Sequence, residues 1–595
     1  MPDPKVEYTG RLKKRLEILA GRERAHVRLG NAKLATVIVG LAAGWLAVAR
    51  HLLSPYWVFI AVAAFIMLVV WHERILRGRA MDERAAAFYR QRMARLEDNW
   101  AGTGLPGDRF RSESHVYAED LDLFGRGSLF ELLSAARTPM GEARLAAWLG
   151  AAAPVAVVLE RQQMIAELRD KLDLREDLAL TGEDLPSRLD PEALAEWAET
   201  KPVLASAIWR VVAPVLVLGA FAALGFGVRT GNYLPLLVIV GVEASVHSAL
   251  KRRVQAVIAG MHSDAQGLDL FAKVIGRIEA ESFASPRLVR FVEELRKDHG
   301  AASAAIRKLA RIAYWIEAHD SYMIHLLDIP LLYSVQVGYA AESWRRRWGT
   351  RVTSWIDAVG EMEALASLSA YAFEHPQDPF PAFAPEGEGP LFHGEEIGHP
   401  LIPAARCVTN TVRLDRQNQL LMVSGSNMSG KSTLLRTVGV NAVLAMAGAP
   451  IRGKSLRLSP LTVGTRLRTT DSLQENRSGF YTEILRIRRV FDSAKAETPV
   501  LFLFDELLEG TNSKDRKIGA EGLLRALVAR GAIGIVTTHD LALTEITAAL
   551  GVAVSNAHLQ DYVEDGRMRF DYKLRPGVVA RSNALELMRL VGLQV

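Results

Sequence analysis

A glycine-rich segment that ends in lysine and serine is the clearest chemical signature of this sequence. Residues 425–432 read Gly-Ser-Asn-Met-Ser-Gly-Lys-Ser and match the G-x-x-x-x-G-K-[ST] pattern of a phosphate-binding loop. Apolar residues 420–423 predict a strand before the loop, and residues 432–447 predict a helix after it. Backbone N–H groups and the helix N-terminus would surround the phosphates. The segment therefore predicts a nucleoside triphosphate site.

Within this loop, two side chains have a specific predicted part. We expect Lys431 to reach the β/γ-phosphates and the Ser432 hydroxyl to bind Mg²⁺. The predicted cofactor-binding residues are Gly425, Ser426, Asn427, Met428, Ser429, Gly430, Lys431, Ser432 and Thr433.

Two further predicted strands end in polar side chains that suit nucleotide hydrolysis. The apolar residues 500–504 lead into Asp505 and Glu506. We expect Asp505 to complete the Mg²⁺ shell and Glu506 to position and deprotonate the attacking water. The alternative is that the pair caps the next helix. Residues 534–537 lead to His539, which would sense the γ-phosphate unless it is a structural histidine.

Apolar stretches elsewhere in the chain predict two transmembrane hairpins. The stretches cover residues 34–49, 57–71, 211–228 and 233–250. They approach the roughly 20 residues that cross a bilayer, and aromatic side chains flank them. Glu243 and His247 weaken the last stretch, and in a membrane they would face another helix or mark a functional pathway. The alternative is that these stretches are buried core helices.

Charge and cysteine content indicate the compartment. Basic residues are concentrated before the first hairpin and after each hairpin, so the positive-inside rule places both termini and every large segment in the cytoplasm. We therefore expect a multi-pass protein of the cell membrane with no cleavable signal. The net charge of +5 allows an acidic partner without requiring one. Cys407 is the single cysteine, which excludes an internal disulfide and agrees with a reducing compartment.

The pattern of composition divides the chain into eight segments. These are a basic N-terminal segment (1–33), hairpin 1 (34–71), a charged helical linker (72–110), a first helical part (111–210), hairpin 2 (211–250), a second helical part (251–375), a Pro- and Gly-rich linker (376–390) and a domain of alternating strands and helices (391–595).

Two helical segments have more than one interpretation at this stage. The basic and aromatic cluster 344–348, with Arg351 beyond it, is typical of a solvated helix face or a membrane-surface anchor, and nucleic-acid contact is the alternative. The very apolar stretch 322–339 predicts either a buried helix or a half-embedded one.

Together, the C-terminal motifs resemble the ATPase domain of the MutS family of DNA mismatch-repair proteins. The motifs that carry the likeness are residues 425–433, Asp505-Glu506, residues 537–540, the tail 572–578 with Arg581 and Ser582, the His399-Pro400 pair and Asn410. Upstream, residues 127–133 and 138–149 resemble the start of the family's helical core. The likeness covers roughly residues 120–200 and 250–595 and is strong beyond residue 391.

The resemblance implies an ATPase of the ABC superfamily that works with ATP and Mg²⁺ as a head-to-tail homodimer. Residues 471–483 correspond to the signature segment, in which Ser478 would touch the γ-phosphate bound by the partner. The implied catalytic residues are Glu506, His539, Lys431 and Ser478, and the implied metal ligands are Ser432 and Asp505. The implied fold is an α/β P-loop (ABC-type) nucleotide domain at the C-terminus, preceded by an all-α core/lever region with the two hairpins.

Three departures from the family pattern bear on function. Asn476 and Gly479 stand where the signature segment usually has glycine and threonine, and Cys407 stands where an aromatic residue commonly stacks on adenine. No segment resembles the mismatch-recognition module. The sequence therefore predicts a membrane-anchored, MutS-like ATPase that lacks the mismatch-recognition module, with DNA kept as a candidate partner by analogy. The alternatives are an ABC-type transport ATPase and a nucleotide-gated membrane scaffold.

Overall fold

The computed structural model describes most of the chain in two compact units, residues 1–103 and 104–595. The described residues are 3–50, 52–54, 56–185, 188–204, 208–261, 264–297, 300–319, 322–385, 387–426, 428–467, 479–494, 498–509, 511–546, 553–564 and 567–578. Within these ranges, four helices are long and apolar enough to cross a membrane by length and composition: Pro4–Val48, Tyr56–Leu96, Trp209–Thr230 and Leu234–Ala259.

The first unit is a hairpin of two long helices, α1 (Pro4–Val48) and α2 (Tyr56–Leu96). At its base, buried Asp82 pairs with Arg15 at 3.5 Å and with Arg22 at 2.9 Å. Toward the connecting loop the side chains become apolar and exposed, and Leu41 and Phe59 are each 70% exposed. An apolar band of this extent needs a non-aqueous surrounding or a partner.

The second unit begins with helices that start at conventional caps. The helices are α3 (Leu129–Leu133), α4 (Pro139–Gly150), α5 (Val155–Arg169), α6 (Leu172–Gly182), α7 (Pro191–Glu199), α8 (Trp209–Thr230), α9 (Leu234–Ala259), α10 (Ala265–Ala280), α11 (Pro286–Arg296), α12 (Ala302–His319), α13 (Tyr322–Leu331), α14 (Tyr333–Trp348) and α15 (Val352–Glu374). Ser128, Thr138, Asp190 and Asp264 accept backbone N–H groups at the starts of α3, α4, α7 and α10. Helix α15 is the centre of this part, since residues 362–374 are all buried.

The two tryptophans and Arg345 of the cluster on α14 are buried and structural, so the expectation of a solvated helix face applies only to Arg346 and Arg347, which are exposed. Trp344 is 1% exposed, stacks on Trp197 with ring centroids 6.1 Å apart, and donates its indole N–H to Ala305 O at 2.7 Å. Arg345 and Arg346 donate to the backbone carbonyls of residues 200 and 204. These two hydrogen bonds hold the segment that follows α7 against α14.

The apolar stretch 322–339 consists of two helices rather than one. Helix α13 ends at Leu331 and α14 begins at Tyr333, and between them Leu332 has a left-handed φ of 44° and is fully buried. Helix α13 packs against α9, α12 and α14. This arrangement places the short helix beside the second apolar helix pair.

The C-terminal part has the predicted alternation of strands and helices. The elements are β1 (Ala382–Phe383), β2 (Phe392–Ile397), β3 (Asn410–Leu414), β4 (Leu420–Ser424), α16 (Lys431–Ala447), β5 (Ser455–Leu458), β6 (Thr462–Arg466), α17 (Gly479–Ser493), β7 (Val500–Asp505), α18 (Ser513–Ala529), β8 (Ile533–Thr538), α19 (Leu541–Thr544), β9 (Val554–Glu564) and β10 (Arg567–Pro576). The predicted strands at 420–423, 500–504 and 534–537 are confirmed as β4, β7 and β8.

A six-stranded sheet brings the predicted chemistry to one edge. Its order is β10-β9-β4-β8-β7-β6, with only β10 antiparallel, and β1-β5-β2-β3 form a second, smaller sheet. Every residue of β4, β7 and β8 is buried, as expected for central parallel strands. The register pairs Ser424 with Thr538 and Asp505 with Thr537, so the carboxyl ends of the three strands coincide. Open parallel sheets bind ligands at this edge.

Candidate nucleotide site

The glycine-rich loop connects β4 to α16 and curls around the Lys431 side chain. Lys431 is 5% exposed, and its Nζ donates to Gly425 O at 2.8 Å and to Ser426 O at 3.0 Å. Gly430 has φ +98°, a left-handed value that favours glycine. A Cβ at Gly425 would lie 2.7 Å from Ser429 Oγ and 2.9 Å from Leu559 O, so a side chain cannot be accommodated there. The loop thus has the tight backbone that a phosphate cradle needs.

Oxygen ligands converge where α16 begins and β7 ends. The Ser432 hydroxyl donates to Asp505 Oδ2, and the Thr537 hydroxyl donates to Asp505 Oδ1. Asp505 is 8% exposed, so its carboxylate is held in place by these two hydroxyls. Hydroxyl and carboxylate oxygens are the ligands that Mg²⁺ prefers, and the donor set of Ser432 and Asp505 fits that ion.

Glu506 lies between the loop lysine and a histidine. Its Oε1 is 3.7 Å from Lys431 Nζ and 3.1 Å from His539 Nδ1. Burial raises the pKa of Glu506, but the His539 hydrogen bond and the Lys431 charge outweigh it, so the pKa is lower than usual. Burial lowers the pKa of Lys431, although Glu506 and Asp505 oppose this effect. Glu506 is therefore ionised at neutral pH, as a proton acceptor must be.

Backbone strain fixes the direction in which Glu506 points. Its φ is +51°, and its N–H donates to Thr537 O at 3.1 Å, which extends the β7–β8 pairing by one residue. A non-glycine residue in this conformation is uncommon and is often found at functional sites.

Arg466 and Glu483 belong to this site, although no motif of the sequence singled them out for a role. Arg466, at the end of β6, donates to the backbone carbonyl of Asp505 and, at 3.2 Å, to that of Glu506. Its Nη2 is 3.2 Å from Glu483 Oε1, which also accepts the Leu508 N–H at 2.7 Å. Both side chains are buried. The one sequence signal was an arginine that ends an otherwise uncharged strand.

A cavity of about 370 Å³ opens beside the loop. Its lining includes His399, Cys407, Asn410, Thr433 and Tyr572. Burial and then the charge of Arg436 lower the pKa of His399 to about 4, so this imidazole is neutral at physiological pH. Tyr572, from the tail motif, is the aromatic side chain that borders the cavity, whereas the position where an aromatic was expected carries Cys407.

The described residues also show which predicted site residues are brought together. Gly425, Lys431, Ser432, Asp505, Glu506 and His539 lie at one edge of the sheet. Ser426 and Ser429 bond to each other through the loop backbone, and Met428 is 85% exposed beside them. Asn427 and Ser478 lie outside the described residues, as do Asn476, Arg581 and Ser582.

The turn before α3 contacts the nucleotide domain through several hydrogen bonds and ion pairs. Asp120 Oδ2 accepts the Thr465 hydroxyl at 2.8 Å and the Leu467 N–H at 3.0 Å, and Asp120 O accepts Arg436 Nε at 3.0 Å. A Cβ at Gly439 of α16 would lie 2.7 Å from Leu121 Cδ2. The helical part is thus bonded directly to β6 and to the helix that follows the loop.

Comparisons with known proteins agree with this geometry. Residues 421–594 match the family model of MutS domain V. Endonuclease MutS2 of Thermus thermophilus is 35% identical over 203 residues, which cover 33% of this chain and 25% of that protein. DNA mismatch repair protein MutS of Streptococcus thermophilus is 26% identical over 514 residues, which cover 78% of this chain and 58% of that protein.

A third relative, DNA mismatch repair protein MutS 2 of Haloarcula marismortui, is 36% identical over 180 residues, or 30% of this chain and 19% of that protein. The chain thus spans from about one fifth to less than two thirds of the length of these relatives. The domain V match and the relatives confirm the resemblance to the MutS family that the motifs indicated, and the match to the family model lies at residues 421–594.

Proposed function

We propose that this protein is a membrane-anchored, MutS-like ATPase. The supporting observation is the convergence of Lys431, Ser432, Asp505 and Glu506 at the carboxyl ends of β4 and β7. In this proposal the loop and Lys431 bind the phosphates of ATP, and Ser432 and Asp505 hold Mg²⁺, which would neutralise phosphate charge. Glu506 accepts a proton from the attacking water, and His539 orients Glu506 and contacts the γ-phosphate.

ATP hydrolysis by a Glu506→Gln variant tests the catalytic part of this proposal. We expect ATP binding to persist while the hydrolysis rate falls at least about 100-fold, since general-base catalysis contributes roughly 10²–10⁴-fold. Glu521→Gln is the matched control, because Glu521 lies on α18 and pairs with Arg525 at 2.8 Å. Equal rates for wild type and Glu506→Gln would instead favour the nucleotide-gated scaffold.

Membrane anchoring is supported by the four long apolar helices and their exposed side chains. In α8 and α9, Leu218 and Leu237 are 68% and 67% exposed, respectively. We propose that both hairpins span the cell membrane, with the nucleotide domain in the cytoplasm. Cell fractionation followed by alkaline carbonate washing tests this point: an anchored protein stays in the pellet, whereas release would favour buried core helices that pack against a partner.

Dimerisation and partners extend the proposal. The family relationship favours a homodimer in which Ser478 completes the site of the other copy, and mixing Ser478→Ala with Glu506→Gln subunits tests whether activity needs residues from both.

Hydrolysis with and without duplex, branched and mismatched DNA tests a role on DNA. No stimulation and no binding at low salt would exclude that role, because phosphate contacts are strongest there. Stimulation by a transported solute in liposomes would favour the transport ATPase.

A further inference from the structure

Contacts between α9, α12 and α14 show which of their residues lie at the same height along the second hairpin, which consists of α8 and α9. A Cβ built on Gly338 of α14 would lie 3.1 Å from Val254 Cγ1 of α9, so Gly338 and Val254 lie at the same height along the hairpin. Nearer the tip of the hairpin, His247 Nδ1 lies 3.8 Å from Asp328 Oδ2, and Asp328 Oδ1 accepts the Ser334 N–H at 2.8 Å. Helices α9 and α14 therefore run side by side in the same direction.

Helix α12 runs in the opposite direction along α14. Trp344 Nε1 donates to Ala305 O at 2.7 Å, and Tyr333 Oη donates to Trp315 O at 2.8 Å. Trp315 is therefore level with Tyr333, which precedes Gly338 by five residues, or about 7–8 Å of helix. On α9, counting five residues back from Val254 reaches the residues just before Lys251, where the apolar run ends. Trp315 thus lies at the level of the expected membrane surface.

The exposed side chains of α12 form one stripe that matches this level. Arg307, Arg311, Tyr314 and Trp315 are all exposed, and Tyr314 and Trp315 are 64% and 46% exposed, respectively. Their spacing places them on one helix face, opposite the buried Ile306, Leu309 and Ala313. Arg311 has no hydrogen-bond or ion-pair partner among the described residues, and it lies about 6 Å farther from the hairpin tip than Trp315. Aromatic rings at an interface with cations behind them are typical of lipid contact.

Helix α13 lies at the apolar level of the hairpin, because its Asp328 is 3.8 Å from His247 of α9. Helix α13 has ten residues, too few to cross a bilayer that needs about 20. Its Leu327 and Ile329 are 43% and 39% exposed. Its one acid among the described side chains, Asp328, is buried and bonded to His319 Nε2 at 3.1 Å and to the Ser334 N–H. A bonded carboxylate tolerates an apolar surrounding far better than a free one.

We propose that α12 and α13 form a re-entrant element in the membrane leaflet that faces the nucleotide domain, with Tyr314 and Trp315 at its surface and Arg311 on anionic phospholipid headgroups. This inference rests on the proposed membrane insertion of α8 and α9. Anionic lipid is the occupant that fits, because Arg311 lies behind the aromatic pair and exposed apolar side chains follow on α13, as headgroups lie above acyl chains. The exposed acid between them, Glu317, accepts the Ala265 N–H at 2.7 Å.

Site-directed fluorescence in vesicles tests the depth of this element. Cys407→Ser gives a cysteine-free background, into which single cysteines are placed at Leu327, Trp315 and Arg311 and labelled with an environment-sensitive dye. Leu237 of α9 serves as the membrane-inserted control, and Val289 of α11 serves as the aqueous control. Full-length protein is reconstituted in phosphatidylcholine vesicles with and without phosphatidylglycerol.

We expect the label at Leu327 to emit at a shorter wavelength and to lose quenching by iodide, as the label at Leu237 does. The label at Trp315 should be quenched by nitroxides near the lipid headgroup. If the label at Leu327 is as accessible to iodide as that at Val289 while Leu237 is protected, the re-entrant element is wrong and the anchoring stands. If Leu237 is also accessible, the membrane insertion itself is wrong.

Headgroup selectivity is tested separately with Arg311→Gln. We expect phosphatidylglycerol to shift the emission of the label at Trp315, and Arg311→Gln to abolish that shift. Arg290→Gln is the matched control, because Arg290 is an exposed arginine of α11. A shift that is unchanged in Arg311→Gln overturns the assignment of the headgroup contact. Protection of the label at Trp315 from iodide by duplex DNA, and not by phosphatidylglycerol, would identify the stripe as a nucleic-acid surface and overturn the proposal.

Discussion

Asn410 fixes the backbone from the carbonyl of Tyr572 to the N–H of Leu574 and so helps to determine where the tyrosine ring lies. Its Nδ2 donates to Tyr572 O at 2.9 Å, and its Oδ1 accepts the Leu574 N–H at 2.8 Å. Tyr572 has φ +55°, within the irregular stretch of β10 between Phe570 and Leu574. A Cβ at Gly430 would be 2.9 Å from Tyr572 Cδ1, so the ring borders the glycine-rich loop. An asparagine and a tail motif 162 residues apart thus cooperate at one side of the cavity.

Replacement of Tyr572 should weaken ATP binding in proportion to the loss of the ring. We expect Tyr572→Ala to raise the Kd for ATP by roughly tenfold and Tyr572→Phe to change it little, because base–aromatic stacking is worth about 1–3 kcal/mol. Titration with a fluorescent ATP analogue measures the effect. Tyr562→Ala, on β9 and 42% exposed, is the control. Equal affinity in Tyr572→Ala and wild type would show that the base does not stack there.

Removal of the Lys431 amine should abolish nucleotide binding. The Nζ is held by two loop carbonyls and is the buried cation nearest to Glu506, so Lys431→Ala deletes the charge that the phosphates require. We expect both ATP affinity and hydrolysis to be lost, as measured by calorimetric titration and phosphate release. Lys454→Ala is the control, because Lys454 is an exposed lysine of the same domain. Unchanged affinity and turnover in Lys431→Ala would contradict the whole assignment of the site.

The sequence allowed the core of this site to be predicted because each element is local. The loop, the Asp505-Glu506 pair and His539 each follow a short apolar run, and parallel strands align their carboxyl ends. Three strand ends that are far apart in the chain therefore had to meet. The same logic gave the bounds of β4, β7 and β8 to within a residue or two.

Long-range contacts explain what the sequence left undetermined. Arg345 and Arg346 belong to a run of arginines that is typical of a solvated face, but their guanidinium groups donate hydrogen bonds to the carbonyls of residues 200 and 204. No local pattern indicates these contacts. Arg466 supports the backbone of Glu506 from a strand that is 40 residues away in the chain. The break at Leu332 follows Pro330, which removes a helical hydrogen bond near the end of α13, but the left-handed conformation and full burial of Leu332 were not indicated by the sequence.

A buried carboxylate in the helical part should make stability depend on pH. Glu363 of α15 is fully buried and accepts the N–H groups of Arg137 and Thr138, at 3.3 Å and 3.2 Å, and the Thr138 hydroxyl. Burial raises its pKa to about 7, although these hydrogen bonds oppose the shift. Because the folded state binds this proton more tightly than the unfolded state, the resulting stabilisation is present in full below pH of about 4.5 and is lost as pH rises through about 7.

Thermal unfolding of wild type and Glu363→Gln checks this dependence. Between about pH 5 and about pH 8 we expect wild type to lose up to about 3 kcal/mol more stability than the variant, which cannot titrate. Near-ultraviolet circular dichroism of the detergent-solubilised protein gives the Tm at each pH. If the two Tm profiles are parallel, Glu363 does not titrate in this range and the predicted coupling is absent.

Asp120 should control turnover rather than affinity, because it acts on the nucleotide site through Arg466. Its carboxylate holds Thr465 and Leu467, which flank Arg466, and Arg466 in turn holds the backbone of Asp505 and Glu506. We expect Asp120→Ala to lower kcat for ATP hydrolysis about tenfold or more, since hydrogen bonds to a buried charge are worth about 1.5–3 kcal/mol. The Kd for ATP should change little, because none of these bonds reaches the glycine-rich loop.

The split between kcat and Kd separates positioning from general destabilisation. Asp120→Asn keeps one acceptor oxygen for the Leu467 N–H, so we expect it to recover part of the lost kcat. Asp108→Asn is the control, because Asp108 lies in the exposed 3₁₀ turn Asp108–Phe110, where it pairs with Arg111 at 3.8 Å. If kcat, Kd and Tm all decline together in Asp120→Ala, then Asp120 merely supports the fold. If kcat alone declines and Asp120→Asn restores part of it, the turn before α3 transmits the position of the helices to the residues that cleave ATP.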